Sequence, residues 1–157
     1  MAIRPFVKED ILPLKEILLT TRVFRNEEIE VAVELMEIVT EEPHQLDYIM
    51  FTSVDNNNGV QGYYCVGPTP MTEVSYDLYW IAVDPNKYGS GASRELMEHC
   101  ETFVRSRSGK KIIAETSSQA SYDRTRTFYQ KHGFVEEARI KNYYSVGDDL
   151  VIFTKQL

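Results

Sequence analysis

The sequence has few of the features that mark metal sites, membrane proteins or nucleic-acid partners. Its two cysteines, Cys65 and Cys100, lie in apolar stretches typical of a reduced core, and the three histidines are too scattered for a zinc site. No apolar run is long enough to span a membrane, and the N-terminus lacks the pattern of a signal peptide. A net charge of −7 disfavours nucleic acid. We therefore expect a single cytoplasmic domain over residues 1–157, with no metal and no membrane partner.

Hydrophobic periodicity and turn residues divide the chain into strands and helices. The patterns predict strands over residues 2–6, 48–54, 60–66, 74–83, 111–115, 135–142 and 150–155. They predict helices over residues 8–19, 26–40, 92–105 and 122–132. Asn26 is expected to cap the second helix and Pro43 to end it. This order predicts a mixed α/β sheet with helices on both faces.

Acidic residues are concentrated in the second predicted helix and just after it. The segment contains no lysine or arginine and carries Glu27, Glu28, Glu30, Glu34, Glu37, Glu41 and Glu42. One interpretation is a solvated helix face. The other is an acidic rim that attracts a cationic amine by long-range steering.

The segment over residues 81–93 has the pattern of a strand, a tight turn rich in small residues, and a helix start. Glycines let the backbone approach a ligand closely, and a helix start presents unpaired N–H groups and a positive dipole end. The pattern therefore indicates an anion site, with phosphate as the expected anion. An ordinary strand–helix connection is the alternative interpretation.

Three kinds of phosphate loop compete for this segment. A P-loop is excluded because Ala92 and Ser93, not lysine and serine or threonine, follow Gly91. A dinucleotide fingerprint is weak because Arg94 occupies the third glycine position. The third candidate is the coenzyme A loop of the GNAT acetyltransferases, Gln/Arg-x-x-Gly-x-Gly/Ala. The segment resembles it with Tyr88, Gly91 and Ser93 at the three positions, although Tyr88 and Ser93 differ from the usual residues.

A second stretch in the C-terminal third resembles the other GNAT signature. Phe128-Tyr129 and Gly133-Phe134 match its spacing, whereas Tyr122 stands where asparagine is usual and Thr125 where alanine is usual. The resemblance covers essentially the whole chain. It implies the GNAT fold, a central mixed and mostly antiparallel sheet with helices on both faces.

The resemblance implies an N-acetyltransferase that moves an acetyl group from acetyl-CoA to a primary amine by direct attack in a ternary complex. The acceptor would be a small molecule or a protein amino group, and a homodimer is possible by analogy. One alternative is a catalytically weak acyl-CoA-binding or sensor protein. Another is an interaction module with no cofactor.

The resemblance also implies roles for particular residues. Coenzyme A would contact Ile81, Ala82, Val83, Tyr88, Gly89, Ser90, Gly91, Ala92, Ser93, Arg94, Tyr122 and Phe128. Tyr129 is the expected general acid, because the pKa of a phenol lies near that of a thiol. A packed tyrosine is the alternative.

The general base and the acceptor pocket are less sharply defined. Asp77 is the expected base, with Glu73, Glu115 or a water relay as rivals. Aromatic residues would line the amine pocket, a set that core packing explains equally well: Phe24, Tyr79, Tyr143 and Tyr144.

Overall fold

The computed structural model of the protein describes residues 2–157. Its contacts divide the chain into two compact units. The first unit runs to Gly67 and resumes over Tyr79–Cys100, and the second comprises Pro68–Leu78 and Glu101–Leu157. That residues 1–157 form one domain stays a prediction.

The strands and helices follow the predicted order. The strands are β1 (Ala2–Pro5), β2 (Ile49–Val54), β3 (Val60–Pro68), β4 (Ser75–Val83), β5 (Lys111–Ser117), β6 (Val135–Ser145) and β7 (Asp148–Gln156). The α-helices are α1 (Ile11–Thr21), α2 (Asn26–Glu41), α3 (Ala92–Ser106) and α4 (Asp123–Lys131). Short 3₁₀ turns occupy Lys8–Asp10, Pro85–Lys87 and Ala120–Tyr122.

The strands form one seven-stranded sheet in the order β1-β2-β3-β4-β5-β7-β6. Strands β4 and β5 pair in parallel, through Ser75–Asp77 and Lys111–Ile113. The ladders β1–β2, β2–β3, β5–β7 and β6–β7 are antiparallel. The predicted mixed and mostly antiparallel sheet is therefore confirmed.

Helices cover both faces of the sheet in the first unit. Helix α1 buries Leu14 and Leu18, and α2 buries Ile29 and Met36, in one core cluster with the β3 side chain of Tyr63. Because neighbouring strand residues point to opposite faces, Tyr64 points away from this cluster. Its hydroxyl lies 2.9 Å from Nδ1 of His99 on α3. The two faces are thus packed by different helices.

Two predicted helix starts need correction. The cap of α2 is Arg25, not Asn26. Arg25 has extended backbone angles, its carbonyl accepts the Ile29 N–H at 3.1 Å, and its guanidinium pairs with Glu28 at 3.0 Å, so the cap lies one residue earlier than predicted. The first predicted helix is split into the 3₁₀ turn Lys8–Asp10 and α1. Helix α2 ends just before Pro43, as predicted, with the Glu42 N–H bonded to the Ile38 carbonyl.

The second unit is organised around the β5–β7–β6 part of the sheet and helix α4. Phe134, Leu150, Val151 and Phe153 are buried there. Strand β6 extends to Ser145, three residues beyond the prediction, and all of its residues are exposed at the sheet edge. Periodicity misses this extension because β6 has no buried face to create an alternating pattern.

Both cysteines are free and buried, which confirms their predicted place in the core. Among residues 2–157, no cluster of three or more His, Cys, Asp or Glu side chains is arranged to hold a metal ion. Over the same residues, none of the helices combines the length and apolar character needed to cross a membrane.

Candidate active site

The turn between β4 and α3 is held from its β4 side by local hydrogen bonds. The Asp84 N–H donates to the Gln61 carbonyl of β3 at 2.7 Å, and the Asp84 carboxylate accepts the Asn86 N–H at 2.9 Å. The latter bond caps the 3₁₀ turn Pro85–Lys87, after which Tyr88 returns to an extended conformation. The chain thus reaches the glycines in a defined direction.

The two glycines of this turn need conformations that other residues rarely adopt. Gly89 has a φ of +82° and Gly91 a φ of +93°. A Cβ atom added at either position would meet no protein atom within 4 Å. Backbone geometry, not crowding, therefore requires glycine here, and the space in front of both residues is open.

Some backbone amides of the turn donate hydrogen bonds within the protein, and others do not. The Ser90 N–H donates to the Lys87 carbonyl at 3.1 Å, and the Ala92 N–H to Ser90 Oγ at 3.3 Å. The amides of Gly89, Gly91 and Ser93 make no hydrogen bond with any residue of 2–157. Ser93 lies in the first turn of α3 and Gly91 directly before it, where the helix dipole adds positive potential, and Gly89 lies two residues before Gly91. The three amides therefore form a set of open donors close together in the chain.

The last residues of β4 lead directly into this turn. Ala82 and Val83 are buried, and Ile81 is half-buried. A Cβ added to Gly62 on β3 would lie 2.4 Å from the Ala82 carbonyl oxygen, so glycine permits a close approach of the two strands. The β4–β5 ladder ends at Asp77 and Ile113, and Ile81, Ala82 and Val83 lie beyond its end.

In the second unit, Tyr129 lies in the last turn of α4 and is 5% exposed. Its ring packs against Phe134 at a centroid distance of 5.1 Å and stacks on Phe153 at 5.9 Å. Gly133, with a φ of +84°, ends the helix, and the Phe134 N–H returns to the Tyr129 carbonyl at 3.0 Å. This C-terminal cap explains the spacing of Gly133 and Phe134 after Tyr129, because it folds the phenylalanine back onto the tyrosine ring.

A polar network that the sequence analysis missed holds the loop between β5 and α4. The Ser117 hydroxyl bonds to the buried Asp148 carboxylate, and the Asp149 N–H donates to Ser118 Oγ at 2.7 Å. Arg126 of α4 donates to the carbonyls of Ser117 and Gln119. The signal available in the sequence is a pair of serines at a strand end, but their partners lie 31 residues away.

Two further candidate residues lie just before α4 and within it. Tyr122 ends the 3₁₀ turn before α4 and is half-buried. Phe128 is also half-buried, with its ring 4.5 Å from that of His132 and 5.7 Å from that of Tyr129.

The carboxylates considered as general bases differ in burial. Asp77 is half-buried on β4, where it pairs with Ile113 of β5. Glu73 precedes β4, and Glu115 lies on β5, and both are exposed. Of the three, Asp77 is the one partly shielded from water, which favours it as the candidate base.

The aromatic residues expected around an amine occur in separate pairs. Phe24 packs edge-on against Trp80 at 4.8 Å, and Tyr79 against Tyr48 at 5.3 Å. Both partners, Trp80 and Tyr48, pack against the core cluster of the first unit and were not predicted as site residues. In the second unit, the exposed Tyr144 packs edge-on against Tyr143 at 5.0 Å.

Comparisons with known proteins place the chain in a family. The sequence pattern of the GNAT acetyltransferase domain matches residues 47–136. A crystal structure of a protein assigned to the GNAT family, from Desulfovibrio desulfuricans, is 37% identical with a TM-score of 0.90, covering 99% of this chain and 98% of that one. No curated protein matches the chain.

More distant solved structures share the fold. The ribosomal-protein-S18-alanine N-acetyltransferase from Escherichia coli is 18% identical with a TM-score of 0.76, covering 99% of this chain and 92% of that one. An aminoglycoside 6′-N-acetyltransferase complexed with coenzyme A is also 18% identical with a TM-score of 0.76, covering 99% and 97% of the two chains. The matching domain pattern and the relative that is 37% identical show that the chain is an acyltransferase and belongs to the GNAT family of acetyltransferases.

Proposed function

We propose that the protein is an N-acetyltransferase that moves the acetyl group of acetyl-CoA to a primary amine by direct attack in a ternary complex. The observation that carries this proposal is the turn before α3, with two positive-φ glycines, open space in front of them and three unused amides. Such a turn suits a diphosphate, whose oxygens accept several backbone N–H bonds at once. A cytoplasmic location belongs to the same proposal, and dimer formation stays a prediction.

The residues present are suited to coenzyme A. Gly89, Gly91 and Ser93 would hold the diphosphate through their amides, and the pantetheine arm would add to the backbone of Ile81, Ala82 and Val83 like a further strand. Further contacts are expected from Tyr88, Ser90, Ala92, Arg94, Tyr122 and Phe128. When bound, the cofactor supplies an acetyl thioester. The N–H of Ile81 or Ala82 would donate to the thioester oxygen and stabilise the charge that develops there.

Tyr129 is proposed as the general acid. Its phenol proton would pass to the departing thiolate, a transfer between groups of similar pKa. The packing of the ring against Phe134 and Phe153 supports this role by limiting the positions of the hydroxyl. Asp77 is proposed to take the proton from the amine, with Glu73, Glu115 or a water relay as alternatives.

The acceptor is proposed only as a primary amine, on a small molecule or a protein. Phe24, Tyr79 and Tyr144 remain the candidates for contact with it. The two structural neighbours described above act on different amines, an aminoglycoside and a ribosomal-protein alanine, so they support the amine class but no particular acceptor.

The test combines cofactor binding with turnover. We expect coenzyme A to raise the melting temperature of the protein. We also expect acetyl-CoA to release free thiol when polyamines, aminoglycosides and peptides with a free α-amino group are offered in turn. Binding without thiol release from any amine would support an acyl-CoA sensor. No thermal shift at saturating coenzyme A would contradict the site itself.

Replacing Tyr129 with phenylalanine tests the general acid. We expect kcat to fall about a hundredfold, the usual contribution of a positioned acid, while the Kd for coenzyme A stays unchanged. The phenylalanine keeps the contacts with Phe134 and Phe153, so the fold should be preserved. An unchanged kcat would remove Tyr129 from the mechanism.

Replacing Asp77 with asparagine tests the general base. The pH profile of kcat/KM should lose the limb that rises as the base deprotonates, because asparagine cannot accept the proton. Steady-state rates across the pH range with a fixed amine check this. A rising limb that persists would assign the base to Glu73, Glu115 or water.

A further inference from the structure

Five glutamates form a single stripe along α2. They are Glu27, Glu30, Glu34, Glu37 and Glu41, and all five are exposed. Their spacing alternates between three and four residues, which keeps them on one face of an α-helix over about 21 Å. In helices that pack against another helix, the residues at this alternating spacing are usually apolar, whereas in α2 they are glutamates.

The stripe borders a groove between α1 and α2. The groove has a volume of about 450 Å³ and is lined by Lys15 and Leu19 of α1 and by Asn26, Ile29, Glu30, Val33, Glu34 and Glu37 of α2. Leu19 is 48% exposed, so part of the apolar surface is open to water. The groove thus combines an apolar floor with an acidic rim.

The carboxylates that line the groove outnumber its one lysine and form no salt bridge within residues 2–157. Within residues 2–157, no salt bridge involves Glu30, Glu34, Glu37 or Lys15. Three carboxylates against one ammonium leave the lining with a net charge of −2. Like charges three or four residues apart destabilise a helix, so a cationic partner would relieve repulsion that the chain leaves uncompensated.

We propose that this groove binds a basic amphipathic helix of a partner protein. Lysine or arginine residues at a matching three–four spacing would meet the glutamates, and apolar residues beside them would cover Leu19 and the half-buried Val33. A second copy of this chain is a poor occupant, because each copy carries a net charge of −7. A small polyamine would neutralise the rim but leave the apolar floor uncovered. The inference does not depend on the proposed acetyl transfer.

The experiment measures binding of a fluorescent peptide by anisotropy at physiological salt. The probe is a helical lysine–leucine peptide with its lysines at the three–four spacing, and the control peptide has the same residues in scrambled order. The groove variant carries Glu30→Gln, Glu34→Gln and Glu37→Gln. The matched variant carries Glu9→Gln, Glu98→Gln and Glu136→Gln, which remove the same charge from exposed positions outside the groove.

We expect the probe to bind about tenfold more weakly to the groove variant and with little change to the matched variant, since each exposed ion pair contributes a few-fold. The scrambled peptide should also bind about tenfold more weakly. Leu19→Ser should weaken binding of the probe a few-fold without changing any charge. Circular dichroism checks that each variant keeps its helices.

Three outcomes would overturn the proposal. Equal losses in the two triple variants, or equal affinity for the probe and its scrambled control, would show attraction by net charge alone. Spermidine binding as tightly as the probe would assign the groove to a small polycation instead.

Discussion

Two glycine turns of this protein have the same backbone requirement and differ in what their amides do. Gly91, before α3, and Gly147, between β6 and β7, have φ values of +93° and +84°. Neither would bring an added Cβ within 4 Å of another atom. The Gly147 N–H donates to Asn142 Oδ1 at 2.8 Å, whereas the Gly91 N–H makes no hydrogen bond with residues 2–157. A positive φ therefore indicates a turn, and an unused amide indicates a place for a ligand.

Asp10 is a buried polar group whose hydrogen-bond partners all lie within the protein. Asp10 is 2% exposed, and its carboxylate accepts two bonds from Arg4 at 2.8 Å, one from the Thr52 hydroxyl at 2.9 Å and one from the Val7 N–H at 3.0 Å. Burial alone would raise the pKa of Asp10, but these hydrogen bonds together hold it below its usual value. At Asp10 the protein thus satisfies a buried polar group from within, whereas the amides of Gly89, Gly91 and Ser93 are left open.

The largest expected effect on stability comes from removing the Asp10 carboxylate from its hydrogen bonds. Asp10→Ala should lower the free energy of unfolding by about 3 kcal/mol, because it leaves Arg4, Thr52 and the Val7 N–H without their acceptor. Urea denaturation at neutral pH measures this. Glu98→Ala is the control, because its ion pair with Arg94 is about two-thirds exposed on both sides and should contribute less than about 1 kcal/mol.

The pH dependence of the same variant follows from the direction of the shift. Since the folded-state pKa of Asp10 is lowered, its contribution is present above its unfolded pKa and is lost as pH falls through the folded value. The difference between wild type and Asp10→Ala should therefore shrink in acid. A difference that stays constant down to the folded pKa would contradict a role for the Asp10 charge.

The comparison of the two glycine turns is tested directly by paired alanine variants. Gly91→Ala and Gly147→Ala should each lose roughly 1 kcal/mol of stability, because both force alanine into a positive φ. Only Gly91→Ala should weaken coenzyme A binding, by about tenfold, since it distorts the open amides. Calorimetric titration with coenzyme A measures this. Equal affinities in the two variants would remove the turn from the proposed site.

The smallest expected effect concerns two neighbouring tyrosines on β3. The Tyr63 hydroxyl is buried with no partner among residues 2–157, whereas the Tyr64 hydroxyl bonds to His99. Tyr63→Phe should leave stability unchanged or raise it by up to about 1 kcal/mol, and Tyr64→Phe should lower it by about 1 kcal/mol. Thermal unfolding of both variants measures the difference. A clear loss in Tyr63→Phe would mean that its hydroxyl has a partner such as a buried water.

Much of the fold could be predicted because its signals are local. Alternation located the strands, helical spacing located α1 to α4, and the stop at Gly133 follows from one positive-φ residue at a helix end. The errors fall where the local signal is weak. Arg25, not Asn26, caps α2 through its backbone carbonyl and without a side-chain hydrogen bond, so the residue type gives little signal of the cap. Strand β6 runs on because it has no buried face.

The candidate site was only partly predictable. The glycine turn and Tyr129 lie in contiguous motifs, so the sequence indicates them. Arg126 and Asp148, which help to hold the loop before α4, have no such motif. Trp80 and Tyr48 likewise became visible only as ring partners of Phe24 and Tyr79.

The sequence by itself determined the order of strands and helices and the presence of a glycine turn before a helix, because both depend on residues within a few positions of one another. The tertiary structure decided which polar groups form hydrogen bonds within the protein. Thr52 reaches Asp10 across 42 residues and Ser117 reaches Asp148 across 31. Such partners are chosen by the packing of distant segments, which no local pattern of residues specifies.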